Sequence, residues 1–382
     1  MLISLIAGTR PEVIKLAPVY LKLRENPSLR VQMCATAQHR RMLDTALEAF
    51  GIVPDADLDL MEQDQTLAGL TARALLGLDG YIRENKPDVI LVQGDTTTVL
   101  CGALAAFYHK VKVGHVEAGL RTRNKYSPFP EEMNRTLASR LADWHFAPTE
   151  GAKAQLLKEG IEPGTVHVTG NTVIDALYLI RDKARGIPFG EIPELAALNS
   201  KFEIRNSKLI LVTGHRRESF GQGFRNICRG IRRIAGRFPD VQIVYPVHLN
   251  PNVQAPVREI LGSLANVHLI EPLSYLPFVK LMDAARVLLT DSGGIQEEGP
   301  ALGKPVLVMR EVTERPEAVE AGVVRLVGAD EDRIFDETER LLTDEAAYRA
   351  MARGVSPYGD GKAAGRIAEI LVKCGTNQET GE

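Results

Sequence analysis

The chain has 382 residues, long for one hydrophobic core, so two domains are expected. Hydrophobic residues make up 45% and charged residues 25%, which excludes disorder for most of the length. The formal charge of -3 argues against the broad basic face that a nucleic-acid partner requires, though not against a local basic patch. Four cysteines, Cys34, Cys101, Cys228 and Cys374, are too far apart for a CxxC pair or a metal-ligand spacing. The opening MLISLIAGTRPEVIKL lacks the basic leader and cleavage site of a secretory signal, and no window reaches the length of a membrane span. A cytoplasmic protein with no membrane association is expected.

In chain order, LISLIAG (2–8) predicts a strand and PEVIKLAPVYLKLREN the helix after it, with Val13, Leu16 and Ala17 on one face. Leu29 to Cys34 predicts the next strand, and MLDTALEAFG a helix ended by glycine. A weak strand or turn near 56–60 precedes a long helix over 66–85, which stops before Pro87. DVILVQGD is a buried strand feeding the helix TTTVLCGALAAFYHK. KVGHVEAG, WHFAPT and TVHVTGN supply further strands, with PEEMNRTLASRLA and EGAKAQLLKEG as helices between them. Strand–helix alternation with continuously apolar strands indicates a parallel sheet covered on both faces.

Residues 171–205 break the rhythm with turns and charge, as in RDKARGIPFGEIPEL, and predict the crossing to a second domain. The alternation restarts with strands at 208–214, 241–247, 267–272, 287–291, 305–309 and 322–328. Helices are expected near 223–237, 252–262, 275–285, 294–302, 313–320 and 332–342, then at GKAAGRIAEILVKC, with a loose tail. The expected fold is α/β, with two Rossmann-like doubly wound domains facing a central cleft. Ligands in such sheets bind beyond the carboxyl ends of the strands.

Candidate functional residues fall there. In TDSGGIQEEG the helix begins near Gly293, where its first N–H groups lack intrahelical partners. Ser292 or Asp291 can cap it, and Gly293 and Gly294 let a ligand come close, which makes a seat for a diphosphate. Glu298, about one and a half turns on, suits the two hydroxyls of a ribose. Arg315 either reaches the same nucleotide or pairs with Glu314 or Glu317. Phe278 either edges a base or belongs to the core. No GxGxxG after a strand and no GxxxxGK[ST] occurs, which lowers NAD dehydrogenases and P-loop ATPases.

The N-terminal half places Arg10 and Lys15 after the first strand as cations for a diphosphate. Asp95 stands where a strand becomes a helix, as catalyst or cap. Glu117 lies in an apolar run, where a carboxylate is costly unless paired or functional. Glu131 and Glu132 open a helix whose dipole favours them, and Arg135 can hold a glutamate or a phosphate. His39 follows the second strand. His215, beside Arg216 and Arg217, would resist protonation unless an anion joins it.

GTRPEVIKLAP, AQHRRMLD, QGDTTT, GHVEAGLRT, SPFPEEMNR, FAPTE, VTGNTVIDAL, TGHRRE, YPVHLNP, DSGGIQEE and GKPVLVMREVTERPE occur in that order. The ordered set closely resembles the non-hydrolysing UDP-N-acetylglucosamine 2-epimerases, from residue 2 to about 372. The resemblance implies the glycosyltransferase type B arrangement, with the last helix crossing back. It gives domains of 1–170 joined by 358–373, and 171–357. It implies interconversion of UDP-N-acetylglucosamine and UDP-N-acetylmannosamine, for surface-polysaccharide synthesis, by a homodimer. Asp95, Glu117, Glu131 and His215 match the catalytic set. Arg10, Lys15, Phe278, Ser292, Glu298 and Arg315 match nucleotide contacts, and Leu273 replaces a frequent glutamine. Many bacterial members bind a second substrate as activator, in a neighbourhood matched here by Gln38, His39, Arg73, Arg216 and His248. Arg41, Thr45 and Ser219 depart from residues of activated relatives.

The C2 proton of such a sugar is not acidic, since no carbonyl adjoins it. Loss of UDP makes it removable and gives a 2-acetamidoglucal, and returning a proton on the other face inverts C2. That scheme needs more than one carboxylate, but no hydride, cofactor or metal.

Overall fold

The computed structural model describes residues 1–36, 40–60, 62 and 65–379. They form two compact units, residues 1–179 with 358 onward and residues 180–357.

The first unit runs β1 (Leu2–Ala7), α1 (Arg10–Arg24), β2 (Arg30–Ala35), α2 (Arg40–Phe50), β3 (Ala56–Asp57), α3 (Leu67–Asn85) and β4 (Val89–Gln93). It continues with α4 (Thr97–Tyr108), β5 (Lys112–Val116), α5 (Glu131–Leu141), β6 (Trp144–Ala147), α6 (Glu150–Lys158), β7 (Val166–Val168) and α7 (Thr172–Arg185). Its sheet is parallel throughout, in the order β3-β2-β1-β4-β5-β6-β7. β1 and β4 are buried along their whole length, which explains why their sequences do not alternate. Ile6, Ile90, Val92, Leu78, Ile82 and Val99 pack as one core. Tyr81 is buried within it and satisfies its hydroxyl on Ser4 Oγ at 2.9 Å.

The second unit adds α8 (Pro193–Asn199), β8 (Lys208–Thr213), α9 (Gln222–Arg237), β9 (Val241–Pro246), α10 (Pro251–Leu261), β10 (Val267–Ile270), α11 (Tyr275–Ala284) and β11 (Val287–Thr290). Then come α12 (Gly293–Ala301), β12 (Val306–Val308), α13 (Pro316–Glu320), β13 (Val324–Leu326), α14 (Glu331–Thr343) and α15 (Glu345–Met351). The order β10-β9-β8-β11-β12-β13 is again wholly parallel. Phe224, Ile227, Ile231 and Ile234 recur at helical spacing on α9 and pack with Val212, Ile243 and Leu289. Cys34, Cys101 and Cys228 are buried free thiols.

Each sheet has one point where the chain reverses its outward march, between β1 and β4 in the first and between β8 and β11 in the second. Loops there diverge and leave room for a ligand.

Several boundaries differ from expectation. The division falls inside α7, after Leu179 rather than at residue 170. Asn171 and Asp175 explain this, because both hydrogen-bond to groups of the first unit. Asp175 accepts from the backbone N–H groups of Ala363 and Ala364 at 3.2 and 2.9 Å, at the start of α16 (Ala363–Glu379). That helix continues through residues expected to be loose, since extending a formed helix costs little per residue. α13 begins only at Pro316, and α15 was not foreseen. Among the described residues no helix is long and apolar enough to cross a membrane.

Candidate active site

In the first unit the loops after β1, β4 and β5 supply the polar groups. Glu117 follows β5 by one residue, in the left-handed region at φ 62, and is 8% exposed. It is therefore not a strand residue, and its backbone leaves the sheet as its carboxylate is buried. Lys15 Nζ donates to both its oxygens at 2.6 and 2.7 Å. Gln93 Nε2 donates at 2.5 Å and Asn171 Nδ2 at 2.9 Å. Lys15, expected to face a diphosphate, thus has Glu117 as a partner. Gly94, at φ +81, makes the turn after β4 in a backbone conformation that L side chains rarely adopt.

Asp95 is not the cap of α4, because the cap is Thr96, whose hydroxyl accepts from Val99 N. Asp95 instead takes an ion pair with Arg135, and its carbonyl accepts from Asn134 Nδ2 at 3.0 Å. Burial pushes the Asp95 carboxyl up, Arg135 opposes this, and the Glu117 charge adds to it. Arg135 also lies 3.4 Å from Glu132. Two carboxylates therefore claim an arginine expected to bind substrate.

Glu131 and Glu132 separate sharply. Glu132 is 3% exposed and accepts from the backbone N–H groups of Thr122 and Arg123, so it fastens the preceding loop. Glu131 is half-buried, and its side chain has no hydrogen-bond or ion-pair partner among the described residues. Arg10 is the half-buried first residue of α1. Arg73 ties down its own neighbourhood through Leu60 O, Gln65 and Glu62. Gln38 and His39 lie outside the described residues.

Two buried groups beneath these loops escaped sequence reasoning. His115 is neutral, pushed down to about 4 by burial, and its Nε2–H donates to Gly94 O at 2.7 Å. Glu12 is 1% exposed and accepts from Gly8 N at 3.2 Å and from Thr96 Oγ at 2.9 Å, linking the loops after β1 and β4. Burial raises its carboxyl from 4.5 to about 7. The folded chain therefore keeps a proton that the unfolded chain releases. The stability this supplies is full below pH 4.5 and is lost as pH rises through about 7, by roughly 3 kcal/mol. Glu12→Gln is expected to flatten that decline, measured as urea midpoints at pH 5 and 8. An unchanged difference between them would refute it.

In the second unit, Asp291 is wholly buried and does not cap α12. Its Oδ2 accepts from the backbone N–H groups of His215 and Arg216 at 2.6 and 2.7 Å, and His215 Nδ1 lies 3.4 Å from Oδ1. His215 stacks on His248 with centroids 5.4 Å apart. Burial depresses His215, with His248 and Arg216 acting the same way and Asp291 opposing them. Ser292 is the N-cap residue of α12 but makes no side-chain cap bond. The first turn of α12, with Gly293 and Gly294, thus lacks the side-chain acceptor that usually occupies such a terminus.

Arg315 crosses this turn, and a Cβ on Gly293 would come 3.1 Å from its Cζ. It pairs with the buried Glu297 at 2.6 Å and with Glu314 at 3.2 Å. Glu298 is 6% exposed and accepts from the buried Tyr275 hydroxyl at 2.6 Å. Phe278 is half-buried on α11, one turn from Tyr275, and Leu273 is buried. Tyr275 and Glu297 were not foreseen, and the adjacent acids of QEE give only a weak signal for the latter. Among the described residues no group of three or more His, Cys, Asp or Glu side chains is placed to hold a metal.

The two switch points thus carry different chemistry. One gathers paired carboxylates, and the other an open helix terminus with a carboxylate and an arginine. Known proteins are similar to this chain over nearly its full length. A UDP-N-acetylglucosamine 2-epimerase of Escherichia coli K12 is 56% identical over 371 residues, covering 97% of this chain and 98% of that protein. The crystal structure of the Neisseria meningitidis UDP-GlcNAc 2-epimerase bound to UDP-GlcNAc has a TM-score of 0.88 at 49% identity, covering 98% and 100%. The Methanocaldococcus jannaschii enzyme in complex with UDP-GlcNAc and UDP has a TM-score of 0.80 at 35% identity, also over 98% and 100%. The family model described as UDP-N-acetylglucosamine 2-epimerase matches residues 21–372, and with relatives this similar over this length the chain belongs to that family.

Proposed function

We propose that this protein is a non-hydrolysing epimerase that interconverts UDP-N-acetylglucosamine and UDP-N-acetylmannosamine. The second unit holds UDP. The diphosphate takes the N–H groups at the start of α12, with Arg315 beside them, and Glu298 takes the ribose hydroxyls. The first unit supplies the acid/base groups Glu117, Asp95 and Glu131. The observation that carries this reading is the buried Glu117 carboxylate, held by Lys15, Gln93 and Asn171 just after β5, with Asp95 paired to Arg135 just after the neighbouring β4.

A carboxylate accepts the proton from C2, and the C2–H electron pair becomes the C1=C2 double bond. The C1–O bond breaks with its electrons leaving on UDP. In the return step a carboxylic acid delivers a proton to the other face of C2, and a diphosphate oxygen bonds again to C1. No net oxidation occurs. His215, Arg315 and the N–H groups at the start of α12 stabilise the charge that grows on the departing diphosphate.

Purified protein with UDP-N-acetylglucosamine in D2O should give a mixture of the two UDP-sugars, both carrying deuterium at C2, by proton NMR. Free N-acetylmannosamine with UDP would identify a hydrolysing enzyme instead. Epimerised product that keeps its original hydrogen would sink the elimination scheme, and no turnover would favour a nucleotide-sugar sensor.

A further inference from the structure

We propose that Asn171 is a positioning residue for this reaction, holding the Glu117 carboxylate oriented and ionised as a proton acceptor. The inference rests on the reading of Glu117 as an acid/base group. Asn171 is 2% exposed, and its Nδ2 lies 2.9 Å from Glu117 Oε1. Its amide cannot turn around. Oδ1 accepts from Val173 N at 3.1 Å at the start of α7, so the edge facing Glu117 is an NH2 that can only donate. The residue is fixed by its backbone as well, since its N–H donates to Tyr358 O at 2.5 Å.

Donors surround Glu117: the Lys15 ammonium from α1, the Gln93 amide from β4 and the Asn171 amide from the head of α7. Donors to a carboxylate favour its charged form. Among the described residues, Lys15 faces it as a cation, Asp95 in the loop after β4 as a like charge, and His115 on β5 as a neutral ring. Asn171 adds a donor that carries no charge, so it leaves the attraction between Lys15 and Glu117 undiluted.

The test compares pH profiles of kcat and KM for the parent, Asn171→Asp, Asn171→Ala and Glu117→Gln. Aspartate keeps an oxygen for Val173 N and is itself a good cap, so Asn171→Asp should fold. It sets a second carboxylate against Glu117. Its acidic limb of kcat should move up by about one pH unit or more, and kcat near neutrality should fall about 10- to 100-fold, with KM within about threefold. Asn171→Ala should shift the limb the same way by less. A profile unmoved in Asn171→Asp, or a drop equal at every pH, overturns the proposal. Parent-like turnover in Glu117→Gln would instead overturn the assignment of Glu117 beneath it.

Discussion

Glu117→Gln should leave UDP affinity within about threefold of the parent while turnover falls by roughly 1,000-fold, the scale of a lost acid/base group. The two effects separate because the residue belongs to the first unit, whereas the features proposed to hold UDP are in the second. Glutamine has nearly the same shape and keeps an oxygen for Lys15, Gln93 or Asn171. What it cannot do is take and return a proton. Calorimetric titration with UDP and initial epimerisation rates measure the two halves of the prediction. Turnover within tenfold of the parent would remove Glu117 from the chemistry.

Asp291→Ala should be the most damaging single change in the second unit. The carboxylate is fully buried and accepts two backbone N–H groups, those of His215 and Arg216. Truncation leaves both donors unpaired, at a cost of about 2–5 kcal/mol. It also frees the loop that carries His215. A Tm lowered by several degrees and a weakened response to UDP are expected together, by thermal denaturation with and without the nucleotide. Asp291→Asn keeps one acceptor oxygen and should fall between the two. A Tm equal to that of the parent in the alanine variant would show that the loop is held by something else.

Much of this architecture is legible in the sequence because it rests on local patterns. Unbroken apolar runs such as VILV give buried parallel strands, and the polar residues just after them mark the switch points. The pairing of side chains is a different matter. Asn171 meets Glu117 across 54 positions and Tyr275 meets Glu298 across 23, and no spacing rule encodes either. Glu131 and Glu132 look alike in one dimension. Adjacent helical positions point about 100° apart, and only the folded loop at Thr122 and Arg123 decides which of them is fastened. Asp291 and Ser292 are equally good caps on paper. Asp291 goes to the other loop because β8 and β11 are neighbours in the sheet.

The helix that completes the first unit is encoded after the entire second unit. Asp175 receives its first turn, and it packs on α1. During synthesis the second unit leaves the ribosome whole while the first still lacks one wall, an inversion of the usual N-to-C order. Until α16 arrives, the acceptor at Asp175 and the flank of α1 stay open, so a chain truncated between residues 357 and 363 would carry the whole second unit and an incomplete first one.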